Sequence, residues 1–338
     1  MSPTARLALA LAAAAVLVTL LPARRSRPRR AGPAKAKVGL VFDIGGRGDK
    51  SFNDSAYEGL ARAERELDVE VQYLEPAGSE DREAALRLFA AQGLDLVVGV
   101  GFMFSSDVDE VAGAYPNVRF ACVDYAPRGA VPANVTGLAF REEEGAYLVG
   151  GAAGMLSKSK HVGFVGGMTI PLIKKFEAGY GAGVKATCPE CEVHAGYAGA
   201  TPDAFKDPAK GKLLAKAQIG AGADVIFHAS GSTGHGVFEG AREGGVLAIG
   251  VDADQHDEMP GVVATSMIKR VDVAVFDTIK DVIARRLEGG VRTFGLAEDG
   301  IDYVHEGPHA EKITPEIAAR VGALRRDVVE GRVKVPTQ

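Results

Sequence analysis

Tryptophan is absent, and aromatic residues make up only 7% of the 338 positions. Each phenylalanine outside an apolar run is therefore informative. Cysteine is scarce: Cys122, Cys188 and Cys191 are too few for a disulfide-dense scaffold. Acidic residues are missing from the first 37 positions, which hold eight of the 39 Lys and Arg. The other 31 basic residues face 44 acidic ones, so the rest of the chain carries a net −13. A body that acidic argues against nucleic acid as a partner, because such binding rests on neutralising phosphates. No G-x-S-x-G occurs. The one H-E-x-x-H, His305 to His309, contains Gly307-Pro308, which breaks the helix that motif needs. The other five histidines suggest no metal-like cluster. Asp252 and Asp254 form a D-x-D, a weak metal signal. No enzyme activity, metal or cofactor is expected.

What is present begins with an address. Leu7–Leu21 is a run of 15 apolar or near-apolar residues after Arg6, followed by five arginines within residues 22–30. The length suits a signal-peptide core and is short for a membrane span. Export is expected, to the periplasm or cell surface, with a retained anchor as the alternative. No Cys follows the run, so no lipid anchor of the bacterial kind is available there. Residues 22–37 read as a basic linker. Cys122, inside an apolar run, reads as a buried thiol. Cys188-Pro-Glu-Cys191 closes as a local disulfide in an oxidising compartment, with a redox-active pair as the alternative.

From residue 37 onward, strand and helix patterns alternate. Strands are expected at Lys37–Phe42, Val69–Tyr73, Leu94–Val100, Arg119–Val123 and Val135–Phe140, with helices at Asn53–Leu67, Asp81–Gln92 and Ser105–Tyr115. The unit then restarts. Strands at Val162–Val165, Val193–Tyr197, Asp224–Ala229, Leu247–Val251 and Val263–Ile268 alternate with helices at Glu142–Leu156, Ile173–Ala186, Asp207–Gly220 and Val237–Glu243. Helices Val271–Leu287 and Pro315–Glu330 follow. Continuous apolar strands between helices predict an α/β fold of two doubly wound parallel-sheet lobes. No residue-level repeat links the two series.

Ligands in such folds lie at the carboxyl ends of strands. Those ends carry Asp43 with the loop to Ser51, Phe52 and Asn53, then Gly101, Asp124, Met168, Gly231, Asp252 and, past Ser266, Lys269. Each aspartate alone is an ordinary helix cap. Three carboxylates with a lysine and an aromatic at a helix entrance suit a polar ring bearing N–H and O–H groups.

The stretch Asp49–Gly59 (DKSFNDSAYEG), with Asp43 before it, resembles the opening signature of the basic membrane protein (BMP) family. These are substrate-binding proteins of ABC importers and include purine nucleoside receptors. Asn134–Glu144, Val162–Gly183, Asp207–Lys212, Ala229–Gly236 and Gly250–Gln255 extend the resemblance over roughly residues 38–290. It implies a type I periplasmic-binding-protein fold with crossovers near Phe140, Lys269 and Leu296. Lobe I is then 38–140 and 270–296, and lobe II is 141–269 and 297–338. It also implies a base between Phe52 and Phe205, with Asp43, Asn53 and Asp124 on the base edge. Asp252, Lys269 and the Gly231 backbone would hold the ribose. Ser51, Gly101 and Met168 complete the expected ligand set. The implied function is capture of a nucleoside by hinge closure. Permease subunits are the implied partners, the chain is expected as a monomer, and its only membrane contact is the N-terminal segment. An anchored nucleoside sensor on the same fold is the alternative.

Overall fold

The structure, a computed structural model, describes residues 35–78 and 81–338. The N-terminal run and the basic linker up to residue 34 lie outside the described residues; Ala36 and Lys37, expected in that linker, already belong to the first strand. Among those described, no helix is long and apolar enough to cross a membrane.

The first sheet is built from β1 (Ala36–Val41), β2 (Val69–Leu74), β3 (Leu96–Val100), β4 (Arg119–Val123), β5 (Val135–Phe140) and β11 (Gly290–Phe294). Their order is β11-β5-β4-β3-β1-β2, and every neighbouring pair is parallel. The second holds β6 (His161–Met168), β7 (Glu192–Gly199), β8 (Val225–Ala229), β9 (Leu247–Gly250), β10 (Val263–Lys269) and β12 (Ile301–Tyr303). Its order is β12-β10-β9-β8-β6-β7, parallel except for β12 against β10. The two orders match strand for strand. In each sheet the first strand sits between the second and third, a topological switch that opens a crevice at the strand ends.

Central strands are apolar throughout because both faces are covered: all five residues of β3 and of β8 are buried. The helices are α1 (Phe52–Glu66), α2 (Asp81–Ala91), α3 (Ser105–Ala114), α4 (Glu142–Leu156), α5 (Pro171–Thr187), α6 (Pro208–Gly220), α7 (Thr233–Gly244), α8 (Val271–Ile283) and α9 (Pro315–Val329). Part of the high glycine content belongs to helix packing. A Cβ at Gly150 of α4 would run into the Tyr180 carbonyl, and one at Gly183 of α5 into that of Tyr147, so these two backbones approach as larger residues would not allow.

The chain passes between sheets three times: from β5 into α4, from β10 into α8, and from β11 to β12. Helix α8 packs on α1, and α9 on α4. Cys122 is buried and free, while Cys188 and Cys191 are disulfide-bonded, Cα atoms 5.3 Å apart. The helix expected to run to Leu287 stops at Ile283. Its chain turns at Arg285, whose φ of 55° is left-handed.

Candidate functional site

The carboxyl ends of both sheets meet at a cavity of about 630 Å³, counting its mouth to solvent. Asp43, just past β1, is the floor of the first lobe's wall. Its Oδ1 accepts the Ile44 N–H at 2.7 Å, and its own N–H donates to Asn53 Oδ1 at 3.0 Å. Burial raises the Asp43 carboxyl from 3.8 to about 7, against the Ile44 hydrogen bond. Gly101 follows β3 with φ of 109°. A side chain there would be strained, and its Cβ would meet the Asp43 carboxylate.

Asp49 organises the entrance to α1. Its carboxylate accepts the N–H groups of Ser51, Asn53 and Asp54 at 3.0, 2.9 and 3.1 Å, and Asn53 Nδ2 at 3.1 Å. A negative group on these free N–H donors suits the positive end of the helix dipole. This holds Phe52 at the cavity wall. It also engages Asn53 on both sides, at Asp49 and at the Asp43 N–H, so Asn53 fixes the loop.

The second lobe supplies Phe205, at the end of a short turn (Pro202–Phe205) after β7, and Gly231 after β8. Asp252 follows β9 in left-handed backbone, φ 66°. Gln255 braces it from behind. Its Oε1 accepts the Val251 N–H at 2.8 Å and lies 3.1 Å from His228 Nε2. Its Nε2 donates to the Lys50 carbonyl of the other lobe at 3.1 Å. Burial pushes His228 down to about 3, so this histidine is a neutral strut.

The lobes share a buried charge network. Lys269 Nζ, at the end of β10, lies 2.6 Å from Asp124 Oδ1 and 3.1 Å from Glu142 Oε1. Glu142 Oε2 is 3.0 Å from Lys175 Nζ. Lys269 is only 2% exposed and sits 5.1 and 4.9 Å from the ring centroids of Phe52 and Phe140. Burial alone would depress its ammonium, but Asp124, Glu142 and Asp252 outweigh that and hold it above the usual lysine range. Burial raises Asp124 and Asp252 to about 6 each, with Lys269 opposing in both cases.

Nine of the eleven expected ligand residues line this cavity: Asp43, Phe52, Asn53, Gly101, Asp124, Phe205, Gly231, Asp252 and Lys269. Two do not. Ser51 is fully buried and donates its hydroxyl to Asp252 Oδ2 at 2.5 Å, because the loop bound to Asp49 turns it toward the other lobe. Met168 is absent from the lining. Its neighbour Gly167 faces Phe205, and successive strand side chains point to opposite faces. Asp49, Ile173 and Phe176 also line the cavity and were not expected there. Glu142 and Lys175, which join the network through Lys269 and each other, are not marked by a strand end. A signal existed for Glu142: three acids open α4, and two of them are buried.

The expectation that the histidines form no cluster is overturned. Folding brings His161 and His194 together with Glu192, and His256 and His309 together with Asp257. His305 stays with Tyr303, so the H-E-x-x-H match does not assemble, and a short turn (Pro308–Ala310) lies where it needs a helix.

Two six-stranded lobes with a polar, aromatic-lined cavity at their strand ends define a two-lobed substrate-binding protein. A family model described as "ABC transporter substrate-binding protein PnrA-like" (Bmp) matches residues 36–323. The chain belongs to this family, whose members are substrate-binding proteins and not enzymes. It is 39% identical over 283 residues to an uncharacterized lipoprotein of Pyrococcus abyssi, covering 80% of this chain and 69% of that one. It is 31% identical over 353 residues to the ABC transporter nucleoside-binding protein BmpA of Lactococcus lactis, covering 98% and 97%. The crystal structure of an ABC transporter solute-binding protein from Aeropyrum pernix superposes with TM-score 0.81 at 32% identity, covering 90% of this chain and 94% of that one. With these relatives the chain is an extracytoplasmic component of an ABC transporter, working with a small-molecule ligand and permease subunits.

Proposed function

We propose that the chain captures a nucleoside, a purine in preference to a pyrimidine, and closes its two lobes over it by a hinge movement. The observation that carries this reading is one cavity holding Phe52 and Phe205 from opposite lobes among the carboxylates of Asp43, Asp124 and Asp252. Phenylalanine faces suit a flat base. Asp43, raised to about 7, serves the base edge as acceptor when ionised and as donor when protonated. Asp252 and the Gly231 backbone take the ribose hydroxyls, and Asp124 with Lys269 closes the polar end. The name of the Lactococcus relative, a nucleoside-binding protein, supports the ligand class. Hinge closure is supported by bonds that run from lobe to lobe: Ser51 to Asp252, Gln255 to Lys50, and Lys269 to Asp124. The chain acts as a monomer, its N-terminal segment being its only membrane contact.

A thermal-shift panel on purified chain, refolded to strip carried ligand, tests this. Purine nucleosides raise the melting temperature; at 100 times its Kd a ligand adds about 2.7 kcal/mol. Phe52→Ala weakens that binding by about 1–3 kcal/mol. A shift with sugars or amino acids alone overturns the ligand class, and unchanged affinity in Phe52→Ala removes the stacking role.

A further inference from the structure

Beyond Asp252, at residues that do not line the cavity, the fold joins the β9–β10 loop to the segment after β12. His309 comes from a position 55 residues beyond Asp254, yet its Nδ1 lies 2.7 Å from Asp254 Oδ2. Its Nε2 lies 3.4 Å from Asp257 Oδ1. The His256 ring is stacked on the His309 ring, centroids 4.5 Å apart and planes within 10°. The Nδ1 of His256 is 3.3 Å from the Val263 carbonyl oxygen. His256, Asp257 and His309 each offer one ligand atom within 4.8 Å of the others.

We propose that His256, His309 and Asp257 bind a transition-metal dication, zinc by preference, which clamps the Asp252 loop to the segment after β12. The outer partners make this more than a chance cluster. A carbonyl and an ionised carboxylate are acceptors only, so both rings must donate through Nδ1. In the neutral rings this places the proton on Nδ1 and leaves Nε2 its lone pair for a metal, which at His309 competes with the proton that Asp257 also attracts. A carboxylate or carbonyl behind each ligating histidine is the usual second layer of a zinc site. Two imidazoles and one carboxylate, with water in the fourth position, suit zinc's nitrogen and oxygen ligands and tetrahedral preference once the rings, parallel in this structure, turn so that both Nε2 lone pairs meet at one ion. The other cluster lacks this layer: His161 Nδ1 and His194 Nε2 lie 3.1 Å apart and engage each other.

The position gives the ion a task. Asp254 is two residues past Asp252, and Gln255, which braces Val251 and reaches Lys50, lies between the outer carboxylate Asp254 and the ligand His256. An ion here stiffens the loop that presents Asp252 to the cavity, without touching the cavity.

The test is zinc titration of the untagged full chain after chelator treatment, by equilibrium dialysis with elemental analysis. The expected result is one zinc per chain and a raised melting temperature. His256→Ala and His309→Ala each weaken zinc binding about tenfold or more, and Asp254→Asn, which leaves all three ligands, weakens it about 10–100-fold. Cobalt in place of zinc gives the visible absorption of a four-coordinate site, lost in His309→Ala. Unchanged metal-free melting in these variants confirms that they fold; if His309→Ala does not fold, Asp257→Asn takes its place with the same expected loss. The proposal is overturned by the absence of stoichiometric zinc, which would make the cluster an imidazolium ion pair. Zinc retained in both histidine variants, or lost on His194→Ala instead, also overturns it.

Discussion

The ends of β4 and β9 occupy matching places in the two sheets and use the same backbone device. Asp124 and Asp252 both sit in left-handed backbone, φ 57° and 66°, a conformation that aspartate adopts more readily than most residues other than glycine. Burial raises both carboxyls to about 6. Their partners differ and are exchanged between lobes. Asp124, from the first lobe, meets the Lys269 ammonium of the second. Asp252, from the second, meets the Ser51 hydroxyl of the first. Each lobe thus completes the other's aspartate, Asp124 by contact with an ammonium and Asp252 by contact with a hydroxyl, while the Lys269 charge acts on both. The consequences of losing each partner should be unequal, since a buried carboxylate without its cation costs more than one short of a hydrogen bond.

The largest effect is expected from Lys269→Met. Asp124, Glu142 and Asp252 lose their shared cation together, and urea unfolding should show a loss of about 3–5 kcal/mol. A loss below about 1 kcal/mol would mean that the network does not hold the lobes. Ser51→Ala comes next, at about 1–3 kcal/mol for a buried charged acceptor deprived of its donor. If the same unfolding assay gave equal losses for both variants, the contrast between charge and dipole would fail. The smallest effect is a change of slope. The Asp252 carboxyl holds its proton to about 6 in the folded chain against an ordinary 3.8. Its contribution to stability is therefore complete below pH 3.8 and fades as pH rises to about 6. Asp252→Asn should flatten the fall in unfolding free energy over that window, by at most about 1.4 kcal/mol per pH unit. A profile parallel to that of the parent chain would show that Asp252 does not titrate there.

The strands of both sheets were legible because central parallel strands are buried on both faces and read as unbroken apolar runs, as in LVVGV at Leu96–Val100. Two of the four edge strands, β11 and β12, were not. Gly290–Phe294 alternates partly buried and exposed positions and is five residues long, and Ile301–Tyr303 has three. Both gain strand character from the neighbour they pair with, which lies far away in sequence. Helix α7 begins at Thr233, before the expected Val237, because its first residues, Thr-Gly-His-Gly, are weak helix formers held by packing against α6. The site divides along the same line. Aspartates and glycines at strand ends are found by counting past each strand. Ser51 was read as a ligand contact because its bond to Asp252 spans 201 residues. Glu142 and Lys175 matter through Lys269 and each other, and the histidine pairs exist only after folding.

The three passages between the sheets bear on how the chain can be divided. The first sheet takes its edge strand, β11, from residues 290–294, after the second lobe has supplied five of its strands. The second lobe in turn ends with β12 and α9, beyond that insertion. Neither half is therefore a continuous stretch of polypeptide. A fragment cut anywhere between residues 141 and 289 leaves β5 as a bare edge in one piece and an orphan strand in the other. The lobes are bound to a common fate in synthesis, in folding and in proteolysis, and any fusion partner or affinity label belongs at the ends of the chain and not between its halves.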